Sequence, residues 1–215
     1  MAGRSRRTLA RELESIADFE SPSPSLEQYL TPPEIAAHIA HLAGLQDDLE
    51  RPVVDLGTGT GMLATAAALA GAGQVLGVDL DSDALALARE NAARVGVASQ
   101  TDWIRADVSR QPLPFSFSSA RSSQSATVLS NPPFGAQRGN RHADREFLET
   151  ARSLASVSYT IHNEGSQEFV ESYAADEGGT VTHAFRAAFP IERRFEFHTA
   201  ESEELAAEVF RVEWE

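Results

Sequence analysis

The sequence predicts an α/β fold with a mostly parallel sheet, and three features indicate it. From Val53 onward, short apolar runs alternate with stretches of helical length, which is typical of parallel strands joined by crossover helices. A glycine-rich turn, Gly57 to Gly61, follows the first apolar run. Two alternating stretches end the chain and predict an antiparallel pair. With 215 residues, the chain is long enough for a single core.

The first 50 residues predict an N-terminal extension ahead of the domain proper, residues 51–215, within one compact unit. The extension carries an amphipathic stretch, a serine–proline linker at residues 21–25 and a helix that begins near Thr31. Thr31 can cap this helix, and Pro32 fits its first turn. The domain proper is predicted to have strands near 53–56, 75–79, 101–105, 126–130 and 156–161, and helices near 61–70, 82–95, 143–154 and 165–176.

The C-terminal part changes to a period of two. After Gly178, the side chains predicted to share one face of a strand are Val181, His183, Phe185, Ala187 and Phe189. A second such stretch has Phe210, Val212 and Trp214 on one face. These two stretches predict an antiparallel pair, which brings the sheet to seven strands. The serine-rich stretch 116–125 predicts a surface loop.

The composition is strongly acidic and lacks lysine. The net charge is −14, and all 18 basic residues other than histidine are arginines. Such a composition indicates a high-salt cytoplasm, although a GC-rich genome also favours arginine. The chain has no cysteine, which excludes disulfides and thiolate zinc sites, and its histidines show no metal-ligand spacing, so we expect no metal. No apolar run has membrane-spanning length, so we expect a cytoplasmic protein and no membrane contact.

The glycine-rich turn predicts a nucleotide-type cofactor. Gly57 and Gly59 allow a ligand to approach the backbone closely. The spacing is G-x-G-x-G rather than the dinucleotide pattern G-x-G-x-x-G. S-adenosylmethionine has no pyrophosphate to bind, and an acidic residue before the turn suits its cationic end; Asp55 has this position. On the turn alone, a nicotinamide enzyme remains an alternative.

Two further carboxylates follow the next two predicted strands. Asp79 is placed to accept both ribose hydroxyls, while Asp81 suits the start of the following helix. Asp107 can bond the adenine amine while Val108 packs on the ring. Because open α/β sheets bind ligands at the carboxyl ends of their strands, the joint position of these carboxylates predicts one cofactor site.

The tetrapeptide Asn131-Pro132-Pro133-Phe134 follows the fourth predicted strand and predicts the methyl-accepting site. The Asn131 side-chain oxygen and the Pro132 carbonyl can both accept hydrogen bonds from one planar amine. Two prolines hold these acceptors in place, and Phe134 offers a face on which a flat base can stack. We therefore expect these four residues to carry catalysis.

Arginines in two places are candidates for RNA contact on this acidic chain. The first group is Arg138, Arg141 and Arg145, in and after the loop that follows the tetrapeptide, and the second is Arg4, Arg6, Arg7 and Arg11. Pairing with nearby acids is the competing interpretation for each. An acidic chain ordinarily argues against a nucleic-acid partner. At molar salt, however, the Debye length falls to about 3 Å, so the repulsion between an acidic surface and phosphates is largely screened and that argument is weaker.

With these residues in hand, the chain resembles the methyltransferase-like enzymes that N6-methylate an adenine of small-subunit ribosomal RNA. The resemblance covers nearly the whole chain and includes Leu26-Glu27-Gln28-Tyr29 with Thr31, Asp55-Leu56-Gly57, Asp79, Asp107-Val108, Asn131 to Gly135 and Phe197-His198. It implies a Rossmann-like class I methyltransferase fold and S-adenosyl-L-methionine as cofactor. It also implies that the segment with Gln28, Tyr29 and Thr31 folds over the cofactor, and that Gly57, Gly59, Thr60, Met62, Asp79, Asp107 and Val108 contact it.

The resemblance further implies ribosomal RNA as substrate and a heterodimer with a small zinc-containing activator that adds a strand to a sheet edge. One departure is the acidic segment 199–204, where eukaryotic family members are lysine-rich. The alternatives are N5-methylation of a release-factor glutamine and N2-methylation of a ribosomal guanine. A DNA adenine methyltransferase would need a target-recognition domain, for which this chain has no room. A non-enzymatic scaffold would have lost some of the site residues, and none is missing.

Overall fold

The computed structural model describes residues 4–110, 125–133, 143–192 and 202–215. Within these ranges, the helices are α1 (Arg6–Leu13), α2 (Pro33–Leu45), α3 (Met62–Ala70), α4 (Ser82–Arg94), α5 (Ala143–Leu154) and α6 (Gln167–Asp176). The strands are β1 (Val53–Leu56), β2 (Val75–Asp79), β3 (Thr101–Arg105), β4 (Ala126–Ser130), β5 (Ala155–Asn163), β6 (Gly179–Glu192) and β7 (Ser202–Trp214). No helix in this part of the chain is long and apolar enough to span a bilayer.

The seven strands form one sheet in the order β3-β2-β1-β4-β5-β7-β6. Strands β1 to β5 are parallel, whereas β7 runs antiparallel to both β5 and β6. The predicted fold class is therefore confirmed, including the antiparallel C-terminal pair. Because β6 is antiparallel to β7, it runs parallel to β5, and its second half lies at the carboxyl edge of the parallel strands.

The sheet separates two apolar layers. Helices α1, α2 and α3 cover one face, and α5 and α6 cover the other. Helix α3 is an alanine-rich segment whose residues from Met62 to Leu69 are all buried, which suits a helix pressed between the sheet and α2. This packing fixes the position of the glycine turn that precedes α3.

The expectation that one face of the strand after Gly178 carries Val181, Phe185 and Ala187 together was wrong. Val181 lies on the α5–α6 face while Phe185 and Ala187 lie on the other, because the pairing with β7 shifts register between Val181 and His183 and inserts Thr182 as a bulge. An extra residue in a strand moves every later side chain to the opposite face. The side chain of Phe189 and the greater part of the serine-rich stretch, residues 116–124, lie outside the described residues.

The start of α2 also differs from expectation. Pro32 takes the N-cap position and Pro33 the first helical position, and no side chain caps the helix. Thr31 is therefore not the capping residue. Its hydroxyl instead accepts a hydrogen bond from the Asn131 side chain, 100 residues further on.

Candidate active site

A cavity of about 220 Å³ lies at the carboxyl ends of β1 to β4. Its walls come from the glycine turn after β1, the ends of β2 and β3, the Asn-Pro-Pro segment after β4, the start of α5 and the N-terminal segment. Ligands bind at this edge of open α/β sheets because the loops there diverge and the strand ends expose polar groups. The cavity therefore joins the predicted cofactor residues to the predicted acceptor residues.

Aromatic rings approach the glycine turn from two sides. Gly57 and Gly59 have φ values of 67° and 53°, in the left-handed region that favours glycine. A Cβ atom on Gly57 would lie 2.9 Å from Cε1 of Phe147, and one on Gly59 would lie 3.2 Å from Cζ of Phe19. The turn thus needs glycine both for its backbone conformation and for the space beside it.

Asp55 is a buried carboxylate whose two oxygens differ in their hydrogen bonding. Its Oδ2 accepts hydrogen bonds from Thr58 Oγ1 at 2.6 Å and from the Ala64 amide at 2.9 Å. Its Oδ1 has no hydrogen-bond partner within the described ranges. Burial raises the pKa of Asp55 to about 7 despite these two hydrogen bonds. A cation beside Oδ1 would restore the charged form, so the site suits a positively charged ligand group.

Asp79 and Asp107 are held by backbone amides at the ends of β2 and β3. Asp79 accepts from the amides of Gly59 at 2.8 Å and Asp81 at 2.9 Å, and burial raises its pKa. Asp107 accepts from the Ser109 amide and hydroxyl at 3.0 and 2.7 Å. Each carboxylate oxygen has a second lone pair, so both side chains can still accept hydrogen bonds from a ligand.

Residues 17–31, here called the strap, cross over the cavity and are held at both ends. At the first end, buried Asn91 accepts from the Ala17 amide at 2.9 Å and donates to the carbonyls of Ala17 and Thr60, both at 3.0 Å. Further along, Gln28 Nε2 donates to Asp81 Oδ2 at 2.8 Å, and Asp81 Oδ1 caps α4. The strap is therefore tied to the glycine turn and to the strand end that carries Asp79.

The last strap contact orients the side-chain amide of Asn131, one of the predicted acceptor residues. Asn131 Nδ2 donates to Thr31 Oγ1 at 3.0 Å, so the amide presents its oxygen away from Thr31. Asn131 Oδ1 is buried and has no hydrogen-bond partner in the described part of the chain, while Pro132 and Pro133 also line the cavity. Behind this segment, Ser130 Oγ donates to Thr160 Oγ1 at 3.2 Å, and Thr160 contacts His162. The unpaired oxygen is an acceptor that a ligand amine can satisfy.

The cavity collects most of the residues that the sequence singled out. Its lining includes Gln28, Tyr29, Thr31, Asp55, Gly57, Gly59, Thr60, Asp79, Asp107, Val108, Asn131, Pro132 and Pro133. Met62 is buried at the start of α3 and is not among the lining residues. Arg145 is exposed on α5 and lies over the Tyr173 ring, 5.7 Å from its centroid, also away from the cavity. Phe134, Arg138 and Arg141 lie outside the described residues.

Sequence reasoning missed several lining residues, including Phe19, Leu63, Glu146 and Phe147. Phe147 carries no local signal, because an aromatic residue on an amphipathic helix usually indicates core. Phe19 stands in a linker-like stretch without periodicity. Within the described ranges, no group of three or more histidine, aspartate or glutamate side chains could hold a metal ion.

The mostly parallel sheet, the glycine turn with its three strand-end carboxylates and the Asn-Pro-Pro segment define a class I, S-adenosylmethionine-dependent methyltransferase. Comparison with known proteins agrees. A family model described as ribosomal protein L11 methyltransferase (PrmA) matches residues 39–113, which contain the glycine turn. The rRNA N(6)-adenosine-methyltransferase Mettl5 of Drosophila melanogaster is 34% identical over 99% of this chain and 98% of its own length.

Two archaeal proteins are similar to nearly the whole chain. The uncharacterized protein MJ0284 of Methanocaldococcus jannaschii is 35% identical over 97% of this chain and 94% of its own. The crystal structure of PH1948 from Pyrococcus horikoshii, described as a candidate RNA methyltransferase, has a TM-score of 0.81 and 31% identity, covering 97% and 96% of the two chains. The chain thus belongs to the METTL5 family of rRNA N(6)-adenosine-methyltransferases.

Proposed function

We propose that this enzyme methylates the N6 amine of an adenine in structured RNA, and that the RNA is small-subunit ribosomal RNA. The observation that supports this most is the Asn131 amide. Thr31 holds its nitrogen, which leaves a buried oxygen as the acceptor for an N–H group in the cavity. A planar exocyclic amine has two such N–H groups, and Asn131 Oδ1 and the Pro132 carbonyl can accept one each.

The protein contributes alignment and charge stabilisation rather than a strong base. Bound S-adenosylmethionine supplies an electrophilic methyl group on a sulfonium. Acceptors at Asn131 and Pro132 favour a pyramidal nitrogen whose lone pair points at the incoming carbon, and they stabilise the positive charge that develops there. Formation of the bond from this nitrogen to the methyl carbon would break the bond from that carbon to sulfur and leave a neutral thioether, and the nitrogen's extra proton would then leave to water. This chemistry requires no metal.

The cofactor contacts that we propose follow from the cavity walls. Asp55 Oδ1 faces the cationic end, Asp79 accepts the ribose hydroxyls, and Asp107 with Val108 holds the adenine. The fit rests on the unpaired Asp55 oxygen, whose burial without a countercharge holds its pKa high. By the family resemblance, Gln28, Tyr29, Gly57, Gly59, Thr60 and Met62 complete the contacts.

On the acceptor side, we propose that Phe134 stacks on a base that is single-stranded or flipped out of a helix. Arg138, Arg141 and Arg145 are proposed to contact phosphates. Arg145 lies over the Tyr173 ring and away from the cavity, so we propose that it contacts phosphates outside the acceptor site.

We also propose that a small zinc-containing activator binds at the edge of β3. Within the described residues, β3 pairs with β2 only, which leaves its other edge available for an added strand. One large apolar side chain of β3, Ile104, is 40% exposed. With a net charge of −14 and no lysine, we propose a high-salt cytoplasm as the setting of this complex.

The test is methyl transfer from labelled S-adenosylmethionine in molar KCl, with and without the activator. Unmodified small-subunit ribosomal RNA and a release factor are offered together, and the RNA is digested to nucleosides. Label in N6-methyladenosine, lost in Asn131→Ala with cofactor affinity retained, supports the proposal. Label in N2-methylguanosine would replace the base, and label on the release factor alone would replace the substrate class.

A further inference from the structure

A second cavity of about 950 Å³ lies between α1, the start of α2 and β6. We call it the α1 groove and define it by Arg6, Arg7 and Arg11 of α1, His38 of α2, and Phe185 and Ala187 of β6. It is larger than the active-site cavity, and the proposed methyl-transfer chemistry uses none of its residues. Its charge, its aromatic surface and its position each bear on what it binds.

The groove carries positive charge on an acidic protein. Arg6, Arg7 and Arg11 are exposed, and none of them forms an ion pair with a carboxylate in the described ranges. Arg4, by contrast, pairs with Glu12 at 3.2 Å. Glu14 and Glu34 are the acidic members of the lining, so the three arginines leave an excess of positive charge. The groove is therefore locally positive although the chain as a whole has a net charge of −14, and a locally positive groove suits a polyanion.

The groove also presents an aromatic surface. The rings of His38 and Phe185 stack with centroids 3.9 Å apart and an interplanar angle of 26°, and both side chains are partly exposed. Burial and the nearby charges of Arg6 and His41 lower the pKa of His38, so its ring is neutral at pH 7. Unpaired bases of a nucleic-acid strand stack on exposed aromatic rings, and arginines beside such rings can contact the phosphates of the same strand.

The groove and the active-site cavity are lined by consecutive residues of the chain. Thr31 lines the active-site cavity and Pro32 lines the groove, and consecutive Cα atoms are about 3.8 Å apart. The second half of β6, with Phe185 and Ala187, lies at the same edge of the sheet as Asn131 because β6 runs parallel to β5. The groove is therefore near enough for nucleotides that flank a base in the active-site cavity to reach it.

We propose that the α1 groove binds the single-stranded nucleotides next to the target adenine, with the arginines on the phosphates and the His38–Phe185 pair under an unpaired base. This inference rests on the proposed function, since it concerns the same RNA. It assigns to α1 a role in substrate binding that is separate from the cofactor and from the acceptor amine.

The test compares Arg7→Gln/Arg11→Gln with the control Arg89→Gln/Arg152→Gln, which removes the same charge at exposed positions of α4 and α5 outside both cavities. Arg152 pairs with Glu177 at 3.0 Å, so thermal unfolding of the control is measured as well. Binding of a fluorescent RNA that contains the target is measured by anisotropy between about 0.5 and about 2 M KCl. Removing two phosphate contacts should lower the salt slope by about 1.4. Over this fourfold range of salt, wild type should therefore lose about 7-fold more affinity than the variant.

A second readout reports the stacked pair. A 2-aminopurine placed beside the target adenine should be quenched on binding to wild type, and less quenched with Phe185→Leu. Arg7→Gln/Arg11→Gln should raise the KM for RNA and leave kcat at saturating RNA and the affinity for S-adenosylmethionine unchanged.

Failure of this inference is distinguishable from failure of the proposed function. If wild type methylates RNA and Asn131→Ala does not, but Arg7→Gln/Arg11→Gln has the salt slope of the control pair, the groove assignment is overturned and the proposed function stands. Loss of activator binding with unchanged RNA affinity would overturn it too, by assigning the groove to a protein. If wild type does not bind RNA, both are overturned.

Discussion

Thr31→Val tests whether the strap orients the acceptor amide. Valine has nearly the shape of threonine but cannot accept the hydrogen bond from Asn131 Nδ2, which spans 3.0 Å in the structure. A buried donor left without a partner costs about 1–3 kcal/mol, and the amide recovers part of this by rotating its nitrogen toward the cavity. A rotated amide presents N–H where the substrate amine needs an acceptor. We expect kcat/KM for RNA to fall by about 5- to 150-fold, the equivalent of that energy.

The assay pairs Thr31→Val with Thr31→Ser, which keeps the hydroxyl and should keep most of the activity. Single-turnover methyl transfer is measured at saturating cofactor, and the affinity for S-adenosylmethionine is measured separately by calorimetry. Thermal unfolding confirms that both variants are folded. If both variants lose the same activity, the activity does not depend on the hydrogen bond to Asn131. If Thr31→Val changes only the cofactor affinity, Thr31 acts on the cofactor and not through Asn131.

Three further predictions concern the cofactor side. Burial raises the pKa of Asp55 to about 7 from its usual 3.8, so the stability this group contributes is present at acidic pH and is lost as pH rises through about 7. Asp55→Asn should flatten the pH dependence of thermal unfolding, and wild-type affinity for S-adenosylmethionine should rise between about pH 6 and 8; a flat calorimetric profile would contradict this. Gly57→Ala should weaken cofactor binding, because its Cβ would lie 2.9 Å from Phe147, whereas Gly71→Ala, with positive φ but open space, should lower stability alone. Asn91→Ala removes four hydrogen bonds, three with backbone groups and one from Arg94, and should cost about 4 kcal/mol in denaturant unfolding, at about 1 kcal/mol each; an unchanged midpoint would show that the strap is not held there.

The strands were predictable because the local sequence shows which segments are buried. Val53–Leu56 and Ala126–Ser130 are buried along their whole lengths between two helical layers, so they read as short continuous apolar runs, and both were found at the predicted bounds. The bulge at Thr182 was not predictable in this way. A period-two pattern specifies faces only while the register is continuous, and the register is set by pairing with β7.

In the candidate site too, the residues fixed by local sequence were predictable and the contacts that depend on tertiary packing were not. Asp55 lies in the second half of β1, Asp79 ends β2 and Asp107 lies two residues after β3, so the rule for the carboxyl ends of parallel sheets brings them together without knowledge of the packing. The bond between Thr31 and Asn131 joins residues far apart in sequence, and Thr31 beside two prolines gives a better local signal for a helix cap. Phe147 likewise reaches Gly57 only because α5 packs against the end of β4.

The strap has a consequence for how the enzyme cycles. Gln28 is bonded to Asp81 on the cofactor side and Thr31 to Asn131 on the acceptor side, three positions apart in one short segment. A displacement of residues 28–31 would therefore remove both hydrogen bonds together. If the strap has to lift to release a spent cofactor, the Asn131 amide that we propose as the acceptor loses its orientation in the same step. Cofactor exchange and substrate binding would then depend on the same fifteen residues, 17–31.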